Sequence, residues 1–342
     1  MTFFIGPVGD NGGPAIKNRL LMKYLDRESN FKVSNTNDRV KSNLLKNILS
    51  LIMTKDKQII VAVSRNGRSI LYPILNMKKF LNPNINYSTI CIGGTIVQDA
   101  LKYPRTIKKT LKKADVITVE TKKLKDELEE KLKLTNVHYM PNYKEIETDT
   151  LKPLPRFDTK ALKFVFLSSV RNVKGVATMV NVFKEVLETY PTATLDIYGP
   201  IRKDFDMNVL ENIKNLPQIN YKGVVANEDV ISTLSKYNVF IFPTEYKGEG
   251  FPAVLIEAYL AGLVVVASDI NFNTEIVVNN NNGWIFPTGN KEKFKEILLN
   301  CFNNEETLKV ISENNRKYAN NFDAESVIEN YRVALKKLEW KI

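Results

Sequence analysis

The stretch VFIFPTEYKGEGFPAVLIEAYLAGLVVVASD, residues 239–269, decides the fold. Its two ends, VFIFP (239–243) and LVVVASD (263–269), are near-continuous apolar runs. Runs of that kind are strands buried on both faces, as in parallel sheets. Between them lie a loop holding Gly248 and Gly250 and a helical segment that ends at about Ala261. Pro252 suits the first helical turn, where its missing N–H has no partner in any case. Gly262 is a natural C-terminal stop. The stretch therefore reads strand, loop, helix, strand.

The same alternation extends in both directions. In the first half, strands are predicted at 2–6, 58–64, 87–94, 115–120 and 137–141. In the second half they are predicted at 162–169, 193–199, 219–223, 239–243, 263–269 and 284–287. Amphipathic helices intervene, among them 176–190, 227–237 and 291–302. Two such series imply an α/β protein of two Rossmann-like, doubly wound parallel-sheet domains. A polar segment with three prolines, residues 141–160, separates them. The expected domains are 1–150 and 151–322, facing across a cleft at the carboxyl ends of their strands, where ligands bind in open α/β sheets.

Composition excludes several classes. The 342 residues carry 44% hydrophobic and 25% charged side chains, ordinary values for a globular chain. Cys91 and Cys301 lie too far apart to read as a disulfide framework, which favours a reducing cytosol. No apolar run reaches the ~18 residues that span a bilayer. MTFFIGPVGDNGG at the N-terminus reads as a strand entering a Gly loop, not as a signal peptide.

The formal charge of +11 is confined to one half. Residues 1–150 hold 26 Lys+Arg against 15 Asp+Glu, whereas residues 151–342 hold 23 of each. The first half should therefore meet an anionic partner. Its densest stretch, KYPRTIKKTLKKAD (102–115), places Tyr103, Ile107 and Leu111 at helical spacing, flanked by four lysines. This is a candidate contact with an anionic membrane surface; the alternative is a solvated helix whose apolar stripe faces its own core.

Two acids stand out beside the Gly loop. Glu249 precedes the helix and Glu257 lies inside it, roughly 12 Å apart if both were helical. The amides of Ala253, Val254 and Leu255, at the helix N-terminus, form a phosphate site between them. A diphosphate-linked sugar fits that span, with carboxylates accepting from sugar hydroxyls at each end.

This segment resembles the E-x7-E signature of family 4 of the retaining glycosyltransferases, which have the GT-B fold. The matching residues are Glu249-Gly250-Phe251-Pro252, Ile256-Glu257-Ala258, Ala261-Gly262, the run 264–269, Glu275-Ile276 and Asn282-Gly283. The resemblance extends to the Gly-rich loop Gly9-Asp10-Asn11-Gly12-Gly13-Pro14, to FLSSVRNVKG, to LDIYG (195–199) and to YKGVV (221–225). In FLSSVRNVKG, Lys174-Gly175 is in place, Ser169 stands where the family has Arg, and Arg171 follows two positions later. YSTICIGG (87–94) and ITVETKKLKDEL (117–128) are similar to an N-terminal domain of polysaccharide-assembly members.

The resemblance implies a nucleotide-sugar donor, UDP-linked, bound by the second domain, and a saccharide or polyprenyl-diphosphate-linked acceptor bound by the first. Lys174 and Arg171 then neutralise the diphosphate, Glu249 orients the donor sugar and Glu257 the ribose. Gly12, Gly13, Gly199, Val225, Gly250, Phe251, Pro252, Ala253 and Val254 complete the donor contacts. A final helix within 323–342 packs back on the first domain. No cofactor or metal is implied, because the nucleotide sugar is a substrate.

The family's first-domain His has no counterpart. The sole His, His138, reads as a structural strand residue. A front-face displacement, in which the departing phosphate takes the acceptor proton, needs no such base. Asp204-Phe205-Asp206 spells D-x-D but lies in a polar loop and is read as solvated, not as a metal site. A UDP-sugar epimerase of the same fold is the alternative enzyme. Nucleic acid is not an expected partner, since no recognised binding motif accompanies the basic half.

Overall fold

The computed structural model describes residues 1–10, 12–25, 31–37 and 41–342, with the backbone alone at 41 and 42. The chain forms two units: Met1–Glu145 joined by Asn321–Ile342, and Ile146–Asn320. Each holds a six-stranded, wholly parallel sheet.

The first sheet comprises β1 (Thr2–Gly6), β2 (Phe31–Asn35), β3 (Gln58–Val63), β4 (Asn86–Cys91), β5 (Val116–Val119) and β6 (Val137–Tyr139), in the order β2-β1-β3-β4-β5-β6. The first three helices are α1 (Gly13–Leu25), α2 (Lys41–Met53) and α3 (Arg65–Leu81). Strand β2 has no counterpart among the predicted strands. It is an edge strand, FKVSN, in which only Ser34 is buried, so it lacks the apolar run that marks the central strands.

The helix Ala324–Lys336 belongs to this first unit. Ile328, Tyr331 and Leu335 join Phe4, Leu21, Ile60 and Ile90 in one buried cluster. The Tyr331 hydroxyl donates to Ser88 Oγ at 2.7 Å, and Arg332 Nε donates to the Leu25 carbonyl at 3.1 Å. A bridge between Lys144 and Asp323 seats the start of the helix beside the end of the first unit's main segment.

The second sheet comprises β7 (Lys163–Leu167), β8 (Thr194–Tyr198), β9 (Ile219–Gly223), β10 (Val239–Phe242), β11 (Val264–Ser268) and β12 (Gly283–Phe286), in the order β12-β11-β10-β7-β8-β9. Counted from its own first strand this is 3-2-1-4-5-6, the order of dinucleotide-binding sheets. Every residue of β10 and β11 is buried, as expected of central strands covered on both faces. The order reverses between β7 and β10, and that switch point positions the site described below.

One expectation is corrected. Residues 102–115 are not one amphipathic helix. The residue before a proline is disfavoured in the α region, and Tyr103, which precedes Pro104, leaves it at φ −125° and ψ 65°. A π turn (Pro104–Lys108) and a short helix (Lys109–Lys113) follow. Ile107 and Leu111 are buried in the first unit's own interior while Tyr103 is exposed, so the stripe presents no continuous apolar face to a membrane. His138 lies on strand β6 as expected, exposed between buried Val137 and half-buried Tyr139.

Candidate functional site

The switch point brings together two loops distant in sequence. After β7 the chain runs through a single 3-10 turn, Asn172–Lys174, and reverses at Gly175 with φ +71°. A Cβ there would lie 2.0 Å from the Pro243 carbonyl oxygen, so only glycine lets this turn pack against the end of β10. The Glu245 amide donates to the Val173 carbonyl at 2.9 Å and ties the two loops together.

That packing places the ammonium of Lys174 against the carboxylate of Glu249, with Nζ to Oε2 at 2.5 Å. Both side chains are largely withdrawn from solvent, at 9% and 15% exposure. The rings of Tyr246 and Phe242 lie 5.4 and 5.6 Å from the same ammonium, a cation–π floor beneath the ion pair. Thr244 Oγ1 donates to Glu249 Oε2 at 3.4 Å. Few charges are held this deep without partners, because the desolvation of each must be offset.

The loop carrying Glu249 is built rigidly. The Glu249 amide closes a turn on the Tyr246 carbonyl at 3.1 Å. Asn271, at φ +50°, donates from Nδ2 to the Tyr246 and Glu249 carbonyls, both at 3.3 Å. Ser268, at the end of β11, donates to the Thr244 carbonyl at 2.5 Å. Gly250, Phe251 and Pro252 are buried, and Pro252 caps the helix Ala253–Leu260. Glu257 is the fifth residue of that helix and is buried at 6% exposure.

One detail of the phosphate site differs from expectation. The Leu255 amide is not open at the helix start: it donates to the Pro252 carbonyl at 3.1 Å. A proline N-cap with its carbonyl turned into the helix closes the first turn at that position. Ala253 and Val254, half-buried, remain at the N-terminal end of the helix.

The other predicted residues fall into three groups. Gly199 follows β8 at φ +129°, and a Cβ there would meet the Ser168 carbonyl oxygen at 1.7 Å, so it fixes the approach of β8 to the loop after β7. Val225 lies half-buried in the loop after β9. Arg171 does not join the Lys174–Glu249 pair; it reaches the neighbouring loop, where Nε and Nη2 bind Asp204 at 3.0–3.2 Å. Asp206 accepts the Asn208 amide at 3.0 Å and donates its own amide to Asn172 Oδ1 at 3.1 Å. The D-x-D string is therefore stapled to the turn that carries Arg171, with Phe205 buried between the acids.

Gly12 and Gly13 belong to the first unit, Gly12 just before α1 and Gly13 as its first residue. Gly12 has φ +89°, and its carbonyl accepts the amides of Ala15 and Ile16 at the start of α1. Asn11 of that loop lies outside the described residues. Of the other residues that build this loop, Thr244, Tyr246 and Ser268 carry no local sequence signal. The signal for Asn271 was available: an Asn just past a strand end tolerates the left-handed region.

The comparisons with known proteins agree with this fold. The family model described as Glycosyl transferases group 1 matches residues 147–318. The chain is 25% identical over 232 residues to the UDP-N-acetylglucosamine–peptide N-acetylglucosaminyltransferase GtfA subunit of Streptococcus agalactiae, covering 64% of this chain and 44% of that protein. It is 26% identical over 173 residues to the capsular polysaccharide biosynthesis glycosyltransferase CapM of Staphylococcus aureus, covering 49% of this chain and 45% of that one. The chain thus spans less than half the length of these relatives. The crystal structure of Anabaena HepE in complex with UDP and glucose superposes with a TM-score of 0.75 at 14% identity, over 98% of this chain and 100% of that one. With two parallel six-stranded sheets, the fold is GT-B.

Proposed function

We propose, from the premise that this chain belongs to the Glycosyl transferases group 1 family, that it is a retaining hexosyltransferase. It takes a UDP-sugar as donor and a saccharide or polyprenyl-diphosphate-linked acceptor, and it serves capsule, exopolysaccharide or lipopolysaccharide assembly on the cytoplasmic side of the membrane. The observation that carries this reading is the Lys174–Glu249 pair at the switch point of the second sheet, a charged, water-poor position where open α/β sheets bind ligands. The UDP-sugar named for the GtfA subunit, the UDP and glucose bound to HepE, and the capsular pathway named for CapM support it.

In this reading Lys174 supports the negative charge that grows on the diphosphate as the sugar leaves. Arg171 exchanges Asp204 for the same group. Glu249 accepts from hydroxyls of the donor sugar, and Glu257 from the ribose. Ala253 and Val254 present amides to the diphosphate from the helix start, and Gly250, Phe251 and Pro252 set the loop that leads there. Gly199 and Val225 border the nucleotide. The acceptor hydroxyl attacks the anomeric carbon from the face the phosphate leaves, the carbon–oxygen bond to the diphosphate breaks, and the proton passes to the leaving phosphate oxygen. Residues 1–150, which carry the whole +11 and supply most of the first unit, suit an acceptor that bears phosphate.

A thermal-shift panel of UDP, GDP, ADP and TDP and their sugars, on wild type and Glu257→Ala, tests the reading. A nucleotide at 100 times its Kd stabilises by about 2.7 kcal/mol. A shift with UDP that is lost in the variant is expected. No shift with any nucleotide overturns it, and turnover of the UDP-sugar without acceptor favours the epimerase.

A further inference from the structure

In the first unit, α2 buries Leu51 but leaves most of its other large apolar side chains exposed. Its polar Asn47 is buried: it accepts from Ser34 Oγ at 2.7 Å and donates to the Asn35 carbonyl at 3.0 Å. Leu45, Leu49, Ile52 and Met53, which share one face at spacings of four, three and one, are exposed instead, Met53 to 73%. The second half of α3 does the same with Met77, Phe80 and Leu81, Phe80 being 77% exposed. Lys78 joins the two helices, donating to the Ile52 and Thr54 carbonyls at 2.9 and 2.7 Å. The end of α2 thus lies beside the turn of α3 that carries Met77 and Leu81. Seven large apolar side chains on one part of a surface are more than the scattered exposure ordinary for a globular chain.

The surroundings of this face are basic. Residues 31–81 contain ten Lys+Arg and two Asp+Glu. Arg68 is buried and paired with Asp99 and so adds nothing to the surface charge. Lys32, Lys46, Lys55 and Lys57 are exposed. Asp56 is held by the Thr54 hydroxyl at 2.7 Å. We propose that the outer faces of α2 and the end of α3 dock on an anionic lipid bilayer. The leucines, Ile52, Met53, Met77 and Phe80 enter the boundary between headgroups and acyl chains, and the lysines meet lipid phosphates. Charge decides against a second copy of this chain as occupant, because two such faces would bring two basic rims together. It also moves the membrane contact away from residues 102–115, whose Ile107 and Leu111 are committed to the interior. Docking by this face requires nothing of the donor chemistry.

The test is flotation of the full-length protein with phosphatidylcholine vesicles, with and without phosphatidylglycerol. Wild type is expected to float with the anionic vesicles and not with phosphatidylcholine alone, and to bind less at high salt. Leu49→Glu and Phe80→Glu, each at an exposed position, should each lower the bound fraction by about tenfold or more, with unchanged melting and unchanged UDP shift. Absence of wild-type flotation overturns the proposal. So does flotation that both substitutions leave intact, or that only Lys109→Glu with Lys112→Glu abolishes. A dimer in sedimentation that Leu49→Glu dissociates would assign the face to a second copy instead.

Discussion

Lys174 Nζ and Glu249 Oε2 stand 2.5 Å apart although 75 positions separate them in sequence. The contact exists because β7 and β10 are neighbours at the point where strand order reverses, and because Gly175 and Pro243 touch. Removing one partner of a withdrawn ion pair leaves the other charge desolvated and uncompensated, at about 3–5 kcal/mol when burial is complete. With 9% and 15% exposure, Lys174→Met should cost the second unit about 2–3 kcal/mol. Glu249→Gln should cost less, because an amide oxygen still accepts from the ammonium. Sugar transfer should fall by at least about a hundredfold in Lys174→Met. Denaturation and initial rates of the two variants and of the double variant check this. Wild-type rates in Lys174→Met would remove the lysine from the site.

Three glycines with positive φ should separate under substitution by alanine. At Gly199 and Gly175 the new Cβ meets a backbone oxygen at 1.7 and 2.0 Å, and backbone is not free to give. At Gly223, also at φ +82°, nothing lies within 4 Å. Gly223→Ala should therefore cost only conformational strain, about 1 kcal/mol, while Gly199→Ala and Gly175→Ala should cost well over twice that. Chemical denaturation of the three variants should rank them in that order, and Gly175→Ala should also lower the UDP shift because it displaces Lys174.

Much of this was legible in the sequence. The eleven predicted strands are present within one to three residues at their ends, because buried parallel strands write themselves as apolar runs. The segment from Val239 to Asp269 also announced the loop that holds Glu249. What the sequence hid depends on neighbours. β2 is an edge strand that needs no apolar run. Tyr103, Ile107 and Leu111 have helical spacing, yet Pro104 breaks the helix between them. α2 looks like an ordinary amphipathic helix, yet Ser34 and the Asn35 carbonyl claim Asn47 while Leu44, Leu45 and Leu49 face outward and Leu51 alone of its leucines is buried. Arg171 is drawn to Asp204, a partner that no local pattern names.

Both thiols should be inert in the folded protein. Burial pushes the Cys301 thiol up to about 12 and raises Cys91 as well. Only thiolate reacts at useful rates. An aromatic disulfide reagent at pH 8 should titrate no thiol natively and both in denaturant. Rapid native labelling would show that one of these sites opens.

Acid should weaken the first unit through Glu145. Hydrogen bonds from Lys23 and Tyr24 hold this carboxyl below its ordinary value of 4.5. A group with a lowered folded pKa contributes stability above its unfolded pKa and loses it as pH falls through the folded one. That contribution should therefore be complete near neutrality and fade below about pH 4.5. Glu145→Gln should flatten the acid limb of the first unit's stability curve, read by melting from pH 3 to 7. An unchanged limb would mean that Lys23 and Tyr24 do not hold the carboxyl in solution.

The last helix should be indispensable to the first unit. Its Ile328, Tyr331 and Leu335 lie in the cluster that also holds Phe4, Leu21, Ile60 and Ile90, all of them at 2% exposure or less. Burying each large apolar side chain contributes about 1.5–3 kcal/mol. Three of them approach the whole stability of an ordinary domain, about 5–15 kcal/mol. Ending the chain at Asn320 should accordingly unfold the first unit while the second, Ile146–Asn320, keeps its own sheet and core. Protease digestion should then spare a fragment that begins near Ile146, and the UDP shift should persist to the extent that the donor is held by the second unit. Tyr331→Phe offers the graded version. It removes the hydroxyl that meets Ser88 at 2.7 Å and leaves the ring in place, so it should cost about 1 kcal/mol, against about 3–5 kcal/mol for Tyr331→Ala. Equal losses from the two would mean that the hydrogen bond, and not the packing of the ring, holds the helix to the sheet.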